Sequence, residues 1–134
     1  MCRAAVSRDK YPERNSDNIT QILKELHWLP VSFRIKYKFA LLTFKAIQGE
    51  APQYLQEMLT RYEPSRSLRS SSQMQLKYPE TLPILKYYGQ RSLTYGAPVV
   101  WNGLDLKIRQ AKTVDSFKNS LKTFFFRQAY ERQF

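Results

Sequence analysis

The chain has 134 residues, 43% hydrophobic and 25% charged, which is enough for one modest core and excludes a disordered tail or a fibrous repeat. Lysine and arginine number 22 against 11 acidic residues, and the formal net charge of +11 favours a polyanionic partner, nucleic acid before an acidic membrane surface. Four glycines are too few for a Gly-rich phosphate loop. One cysteine and one histidine are too few for a structural zinc site, so we expect neither a metal nor a cofactor.

The first part of the chain contains no targeting signal that we can identify. Residues 1–16 are polar, lack the apolar core of a signal peptide, and are predicted to form a flexible lead-in. No apolar run approaches the roughly 18 residues that a membrane span needs. We therefore expect an intracellular protein, cytoplasmic or nuclear and not secreted, with a single helical domain over residues 17–130 and a tail over residues 131–134.

A short first helix is predicted after the lead-in. Ser16 or Asp17 can cap it, and apolar residues recur at helical spacing from Ile19 to Leu26. Pro30 stops this helix, because proline disfavours helical backbone in the residue before it.

A longer second helix is predicted from a cap at Ser32 to Gln48, with Gly49 as its C-terminal stop. Apolar residues occupy two of its sides, and such a helix is typical of a core element packed between two neighbours. We therefore predict that it is the central, most buried helix, with Phe39 in the core. One side carries Ile35, Phe39, Leu42 and Ala46, and the other carries Phe33, Ala40, Phe44 and Ile47.

A third helix is predicted to start at Pro52, with an apolar side formed by Tyr54, Leu55, Met58 and Leu59. Residues 64–81 are rich in serine and arginine and weakly periodic, which predicts a long and partly mobile surface loop.

The remaining elements are predicted from shorter patterns. Residues 84–88 and 91–95 favour two short strands of a β-hairpin, and residues 97–102 favour one helical turn around Trp101. A last helix is predicted from a cap at Thr113 to about Arg127. The fold class is therefore predicted to be mainly α: a small helical domain with a long Ser/Arg-rich loop and a short β-hairpin.

Neither the acidic residues nor the single histidine forms a recognisable catalytic pattern. The acidic residues are scattered and never adjacent, whereas polymerases and nucleases need clustered carboxylates for their metal ions. His27 is predicted to be a partly buried residue packed near Trp28 rather than a catalytic base. Trp101 and most of the Phe124 to Phe126 cluster are predicted to be core, with Phe126 the one candidate for an exposed aromatic.

The excess positive charge lies in residues 31–48, 61–91 and 105–134, each with a net charge of +4. Any single one of these charges is more simply interpreted as a solvated surface group. Three such regions together favour a nucleic-acid surface, because a domain needs no such excess for solubility. The residues predicted to contact phosphates are Arg34, Lys38, Lys45, Arg66, Arg69, Lys118 and Lys122.

Residues 18–49 resemble a segment near the C-terminus of the reverse transcriptase polyprotein of LINE-type (non-LTR) retrotransposons, of the chicken-repeat or Rex/Babar kind. The strongest match, LHWLPV followed by RI, YK, LLTF and KA, covers residues 26–46. Further matches follow in the same order at residues 51–55, 64–71, 97–102 and 114–123. The chain departs from the family pattern over residues 82–88 and at Asp105, where the family usually has proline.

The resemblance implies that the chain corresponds to the region after the polymerase and carries none of the family's catalytic motifs. It implies a non-enzymatic C-terminal remnant that binds RNA or DNA without sequence specificity through its basic surfaces. The alternative is a structural remnant that only packed against the parent polymerase. An independent enzyme is disfavoured by the absent carboxylate pairs.

Overall fold

The computed structural model describes residues 16–80 and 92–131. Its elements confirm the mainly α fold class, and within those two ranges the β structure is confined to one isolated antiparallel bridge between Arg61 and Leu76. A 3-10 helix covers Arg69–Gln73. The α-helices of the described residues are α1 (Ser16–Glu25), α2 (Val31–Gln48), α3 (Gln53–Glu57), α4 (Leu93–Asn102), α5 (Leu106–Arg109) and α6 (Val114–Tyr130).

Helix α2 is the central element, as predicted, because it packs against α3, α4 and α6. The prediction that it is the most buried helix is wrong, since four of its 18 residues are buried, compared with four of the ten residues of α4. The Phe44 ring stacks on Phe117 of α6, with centroids 4.2 Å apart and an interplanar angle of 13°. Near the start of α2, Phe33 meets Phe125 of α6 edge-on at 6.0 Å. Since a later residue of α2 pairs with an earlier residue of α6, the two helices run antiparallel.

The two apolar sides of α2 are covered unequally. Ala40 and Phe44 are buried, but Ile35 stays 53% exposed and Leu42 39% exposed on the other side. Phe39 is half-buried, its ring lying against Gly96 of α4. The prediction that α2 packs between two neighbours is confirmed, because α4 and α6 both contact it. The placement of Phe39 in the core is wrong, because its side of α2 is only partly covered. Helix α4 makes its close approach at Gly96 and leaves Ile35 and Leu42 uncovered.

Two helices end in the same hydrogen-bonded motif. After α1, the His27 N–H donates to the Lys24 carbonyl at 3.1 Å and the Trp28 N–H donates to the Leu23 carbonyl at 2.8 Å. His27 takes the left-handed conformation at φ 54° that this motif requires. After α2, Gly49 takes this left-handed conformation at φ 79°, which confirms the predicted end of the helix.

The predicted cap of α2 at Ser32 is wrong. The helix begins one residue earlier, at Val31, and the preceding Pro30 occupies the cap position in an extended conformation. The Pro30 carbonyl accepts hydrogen bonds from the N–H groups of Phe33 and Arg34, both at 3.0 Å. The fixed φ of proline thus starts this helix without a side-chain cap.

Helix α3 follows Pro52 as predicted, but its apolar side is only partly covered. Leu55 and Leu59 are half-buried, whereas Tyr54 is 60% exposed and Met58 is also exposed.

Side chains from α4 and α5 hold the end of the predicted surface loop in place. The Asn102 side chain bonds both backbone groups of Leu76, accepting from its N–H at 2.9 Å and donating to its carbonyl at 3.0 Å. The Trp101 indole donates to the Met74 carbonyl at 2.8 Å. Leu76 itself is buried. The prediction of a partly mobile surface loop is therefore wrong for residues 73–76.

The second predicted strand is wrong, because Leu93–Tyr95 form the first turn of α4. The first predicted strand lies outside the described residues, as do the lead-in up to residue 15 and the tail from residue 132. Trp101 is buried as predicted, in a helix longer than the predicted single turn. Thr113 is confirmed as the cap of α6, its hydroxyl accepting from the Ser116 N–H at 3.3 Å, and the helix continues to Tyr130.

Candidate nucleic-acid interface

An open cleft of about 450 Å³ lies between the α1–α2 connection, α2 and α6. It brings together three of the predicted phosphate-binding residues, Arg34, Lys38 and Lys122, from two helices that are distant in sequence. Its full lining is His27, Trp28, Leu29, Arg34, Tyr37, Lys38 and Lys122.

The cleft follows from helical spacing and from the α2–α6 register. Residues three and four apart on a helix share a face, so Arg34, Tyr37 and Lys38 point to the same side of α2. The antiparallel aromatic pairs between the helices place the first half of α2 beside the middle and second half of α6, and Lys122 lies at the middle of α6. Two positive charges from one helix therefore meet a third from the other.

Arg34 is held in place by the backbone and by an aromatic ring. Its Nε donates to the Leu29 carbonyl at 2.7 Å, and its guanidinium carbon lies 5.5 Å from the centre of the Trp28 ring. A guanidinium has four N–H groups besides the one on Nε. Arg34 is exposed, so this pre-oriented charge is presented to solvent.

Lys45 and Lys118 extend the same arrangement along the two helices. Lys45 comes eleven residues after Arg34, about three helical turns, and so lies on the Arg34 side of α2. Lys118 precedes Lys122 by four residues, and its ammonium lies 3.8 Å from the Asp115 carboxylate. Five of the seven predicted residues thus form two antiparallel rows, called here the basic rows: Arg34, Lys38 and Lys45 on α2, and Lys118 and Lys122 on α6.

The other two predicted residues lie elsewhere. Arg66 and Arg69 are exposed, in the segment that leads into the 3-10 helix and at its first position, and neither lines the cleft. The structure therefore divides the predicted set into the basic rows and a separate pair.

Two aromatic residues of the cleft were not identified as site residues from the sequence. Trp28 is 55% exposed, and Tyr37 is half-buried at the base of the Arg34 and Lys38 side chains. Burial raises the pKa of Tyr37 above its ordinary value. The signal that could have revealed both is the i, i+3, i+4 spacing of Arg34, Tyr37 and Lys38. These residues follow directly after the turn at His27 and Trp28 that ends α1, called here the tryptophan turn.

His27 was predicted to be partly buried and Phe126 to be exposed, and both predictions are wrong. His27 is exposed, because its left-handed backbone directs it out of the end of α1. Its ring lies 5.4 Å from Phe126, which is half-buried and also contacts Tyr130 at 4.7 Å. The Tyr130 hydroxyl donates to the Trp28 carbonyl and so ties the tryptophan turn to the end of α6.

Arg109 is a buried cation with a structural role. Its Nη1 donates to the Gln73 carbonyl at 2.6 Å. Burial lowers its pKa from the ordinary arginine value, and the nearby Asp105 charge opposes that change. This cation is therefore engaged in holding the 73–76 segment rather than exposed to a ligand.

Within residues 16–80 and 92–131, no three histidine, cysteine, aspartate or glutamate side chains gather as a metal site would require. No helix in the same part of the chain is both long and apolar enough to cross a bilayer. Comparison of the chain with models of protein families, with curated proteins and with solved structures finds no match.

Proposed function

We propose that the chain is a non-catalytic C-terminal remnant of a LINE-type reverse transcriptase that binds RNA or DNA without sequence specificity through the basic rows. The observation that carries the binding proposal is the convergence of Arg34, Lys38 and Lys122 on one cleft. The origin is supported by the family-like string over residues 26–46, which supplies both the tryptophan turn and the α2 side of that cleft.

The geometry of the rows suits a phosphate backbone. Arg34 to Lys45 covers about 16 Å of helix, roughly the rise of five stacked nucleotides at about 3.4 Å each. Lysine and arginine contacts to phosphate position a nucleic acid but do not read its sequence. The proposed contacts are of this phosphate-positioning kind, so the proposed binding is non-specific.

A salt titration tests this proposal. Each phosphate contact to duplex DNA contributes about −0.9 to the slope of log binding constant against log salt, so five contacts predict a slope of about −4.5. The slope on a single strand should be shallower, at about −0.7 for each contact. Fluorescence anisotropy with a labelled 20-mer measures both, and undetectable binding at low salt would contradict the proposal.

The same proposal implies that the chain has no polymerase or nuclease activity of its own. Phosphoryl transfer with Mg²⁺ or Mn²⁺ requires carboxylates that hold the metal, and the acidic residues of this sequence are scattered. Primer-extension and nicking assays on highly purified protein check this, and metal-dependent turnover that co-purifies with the chain would contradict it.

A second candidate function is docking against the body of the parent polymerase. It is favoured by the uncovered side of α2, where Val31, Ile35 and Leu42 are exposed beside the half-buried Phe39. The candidate predicts that a LINE-type polymerase fragment lacking its C-terminal region captures the chain, and that the uncharged double change Ile35→Ser with Leu42→Ser abolishes capture while salt-dependent DNA binding is retained. Equal capture of the wild type and the double variant would exclude this side of α2 as the docking surface.

A further inference from the structure

We propose that Trp28 is a stacking platform for an unpaired base, so that the cleft recognises single-stranded nucleic acid in addition to phosphate. This inference rests on the proposed function, because it assigns the base-contacting element of the same cleft. The indole is 55% exposed, which is unusual for a tryptophan in a chain whose other tryptophan is 1% exposed.

The backbone around Trp28 is fixed on both sides of the ring. Its N–H donates to the Leu23 carbonyl at 2.8 Å, and its carbonyl accepts from the Tyr130 hydroxyl. His27, at φ 54°, takes the left-handed conformation that ends α1 and leads into Trp28. A ring on a turn that hydrogen bonds fix on both sides can stack a ligand at little entropic cost.

The charges around the ring are arranged as a nucleotide would require. Arg34 lies over Trp28, while Lys38 and Lys122 line the same cleft within reach of a flanking phosphate. Single-strand-binding proteins combine these two features, a cationic groove and an aromatic face on which bases stack irrespective of sequence. A duplex keeps its bases paired and stacked, so it can use the charges of this cleft but not the ring.

The test compares three probes of equal length: a dT12 single strand, a fully abasic 12-mer that keeps the phosphates, and a 12-base-pair duplex. When one base stacks on an aromatic side chain, removal of the ring lowers the binding affinity by about 5-fold to 150-fold. Trp28→Leu should therefore weaken dT12 binding by that factor and leave the abasic strand and the duplex unchanged. Trp28→Phe, which keeps an aromatic face, should restore part of the loss.

Tyr54→Leu is the matched control, because Tyr54 is an aromatic residue of α3 that is 60% exposed and lies outside the cleft. Its dT12 affinity should equal that of the wild type.

A fluorescence measurement on the unmodified protein does not depend on the folding of any variant. The dT12 strand should quench the emission of the exposed Trp28, and the abasic strand should not. The buried Trp101 supplies a constant background emission.

The outcomes separate this inference from the proposed function. Loss of dT12 affinity in Trp28→Leu together with selective quenching supports the platform. If all three probes bind with a strong salt dependence but dT12 and the abasic strand bind equally, the platform is excluded and the basic rows stand. If no probe binds at low salt, both the platform and the proposed function are excluded.

Discussion

Phe44 of α2 lies flat on Phe117 of α6, with ring centroids 4.2 Å apart, and both rings are almost completely buried. This stacked pair fixes how far the two helices are shifted along each other. The register in turn places Lys122 beside Arg34 and Lys38, so a core contact determines the geometry of the basic cleft.

Phe44→Ala should lower the free energy of unfolding by about 3–5 kcal/mol, because it leaves a cavity between α2 and α6. Phe39→Ala is the matched control and should cost less, since Phe39 is only half-buried against Gly96. Urea denaturation followed by circular dichroism measures both values. Equal losses in the two variants would contradict the assignment of Phe44 rather than Phe39 to the core.

Asn102→Ala should release the 73–76 segment from the helices. The change removes both hydrogen bonds to Leu76 and leaves its backbone groups unsatisfied, at a cost of about 1–3 kcal/mol for each group that stays buried. Hydrogen exchange at the Leu76 amide should become faster, and proteolysis within residues 64–80 should increase. Asn119→Ala, on the exposed surface of α6, should change neither measurement.

Gly49→Ala should destabilise the protein by about 1–2 kcal/mol, the penalty for a side chain in the left-handed conformation that ends α2. A Cβ atom at this position would meet no atom within 4 Å, so the loss would arise from the backbone alone. Gly49→Asn should cost less, because asparagine tolerates this conformation. Thermal melts of the three proteins provide the comparison, and an alanine variant as stable as the wild type would argue against the observed helix end.

Tyr37 should make stability fall at alkaline pH. Burial raises the pKa of its phenol above the ordinary value of 10.0, so its contribution is fully present below about pH 10 and is lost as pH rises through the folded-state pKa. Lysines titrate in the same range, so the informative quantity is the difference between wild type and Tyr37→Phe. Between about pH 8 and about pH 11, the urea midpoint of the wild type should fall more steeply than that of Tyr37→Phe. Parallel curves would show that Tyr37 does not contribute to the alkaline loss of stability.

The sequence predicted the helices best where local chemistry decides the structure. Gly49 and Thr113 end and start helices by properties of their own, and the apolar spacing around Phe44 and Phe117 identified both core helices. The strand predicted over residues 91–95 failed because burial of Gly96 against Phe39 of α2, and of Trp101 beside Phe117 of α6, outweighs its short-range pattern.

The candidate site was predictable only in part. Its cations follow from charge and helical spacing, but their convergence depends on the α2–α6 register, which no local pattern specifies. The role of Trp28 could not be predicted, because its exposure depends on the left-handed backbone at His27 and on Tyr130, which is 102 residues away in the chain. The fixing of residues 73–76 by Trp101 and Asn102 is long-range in the same way.

The basic rows are tested most directly by removing matched sets of charges. The first variant replaces the three cleft cations, Arg34, Lys38 and Lys122, with glutamine, and the second replaces three exposed cations outside the cleft, Arg66, Arg69 and Lys107. Both variants lose the same net charge, so general attraction to DNA falls equally.

The decisive measurement is the salt dependence of duplex binding for the wild type and these two variants, with circular dichroism to verify that each is folded. The slope of the cleft variant should be smaller in magnitude by about 2.7, or about 0.9 for each lost contact, while the slope of the second variant should stay within about one unit of the wild-type value. Equal slope losses in the two variants, or a loss in the second alone, would contradict the assignment of the cleft as the nucleic-acid interface.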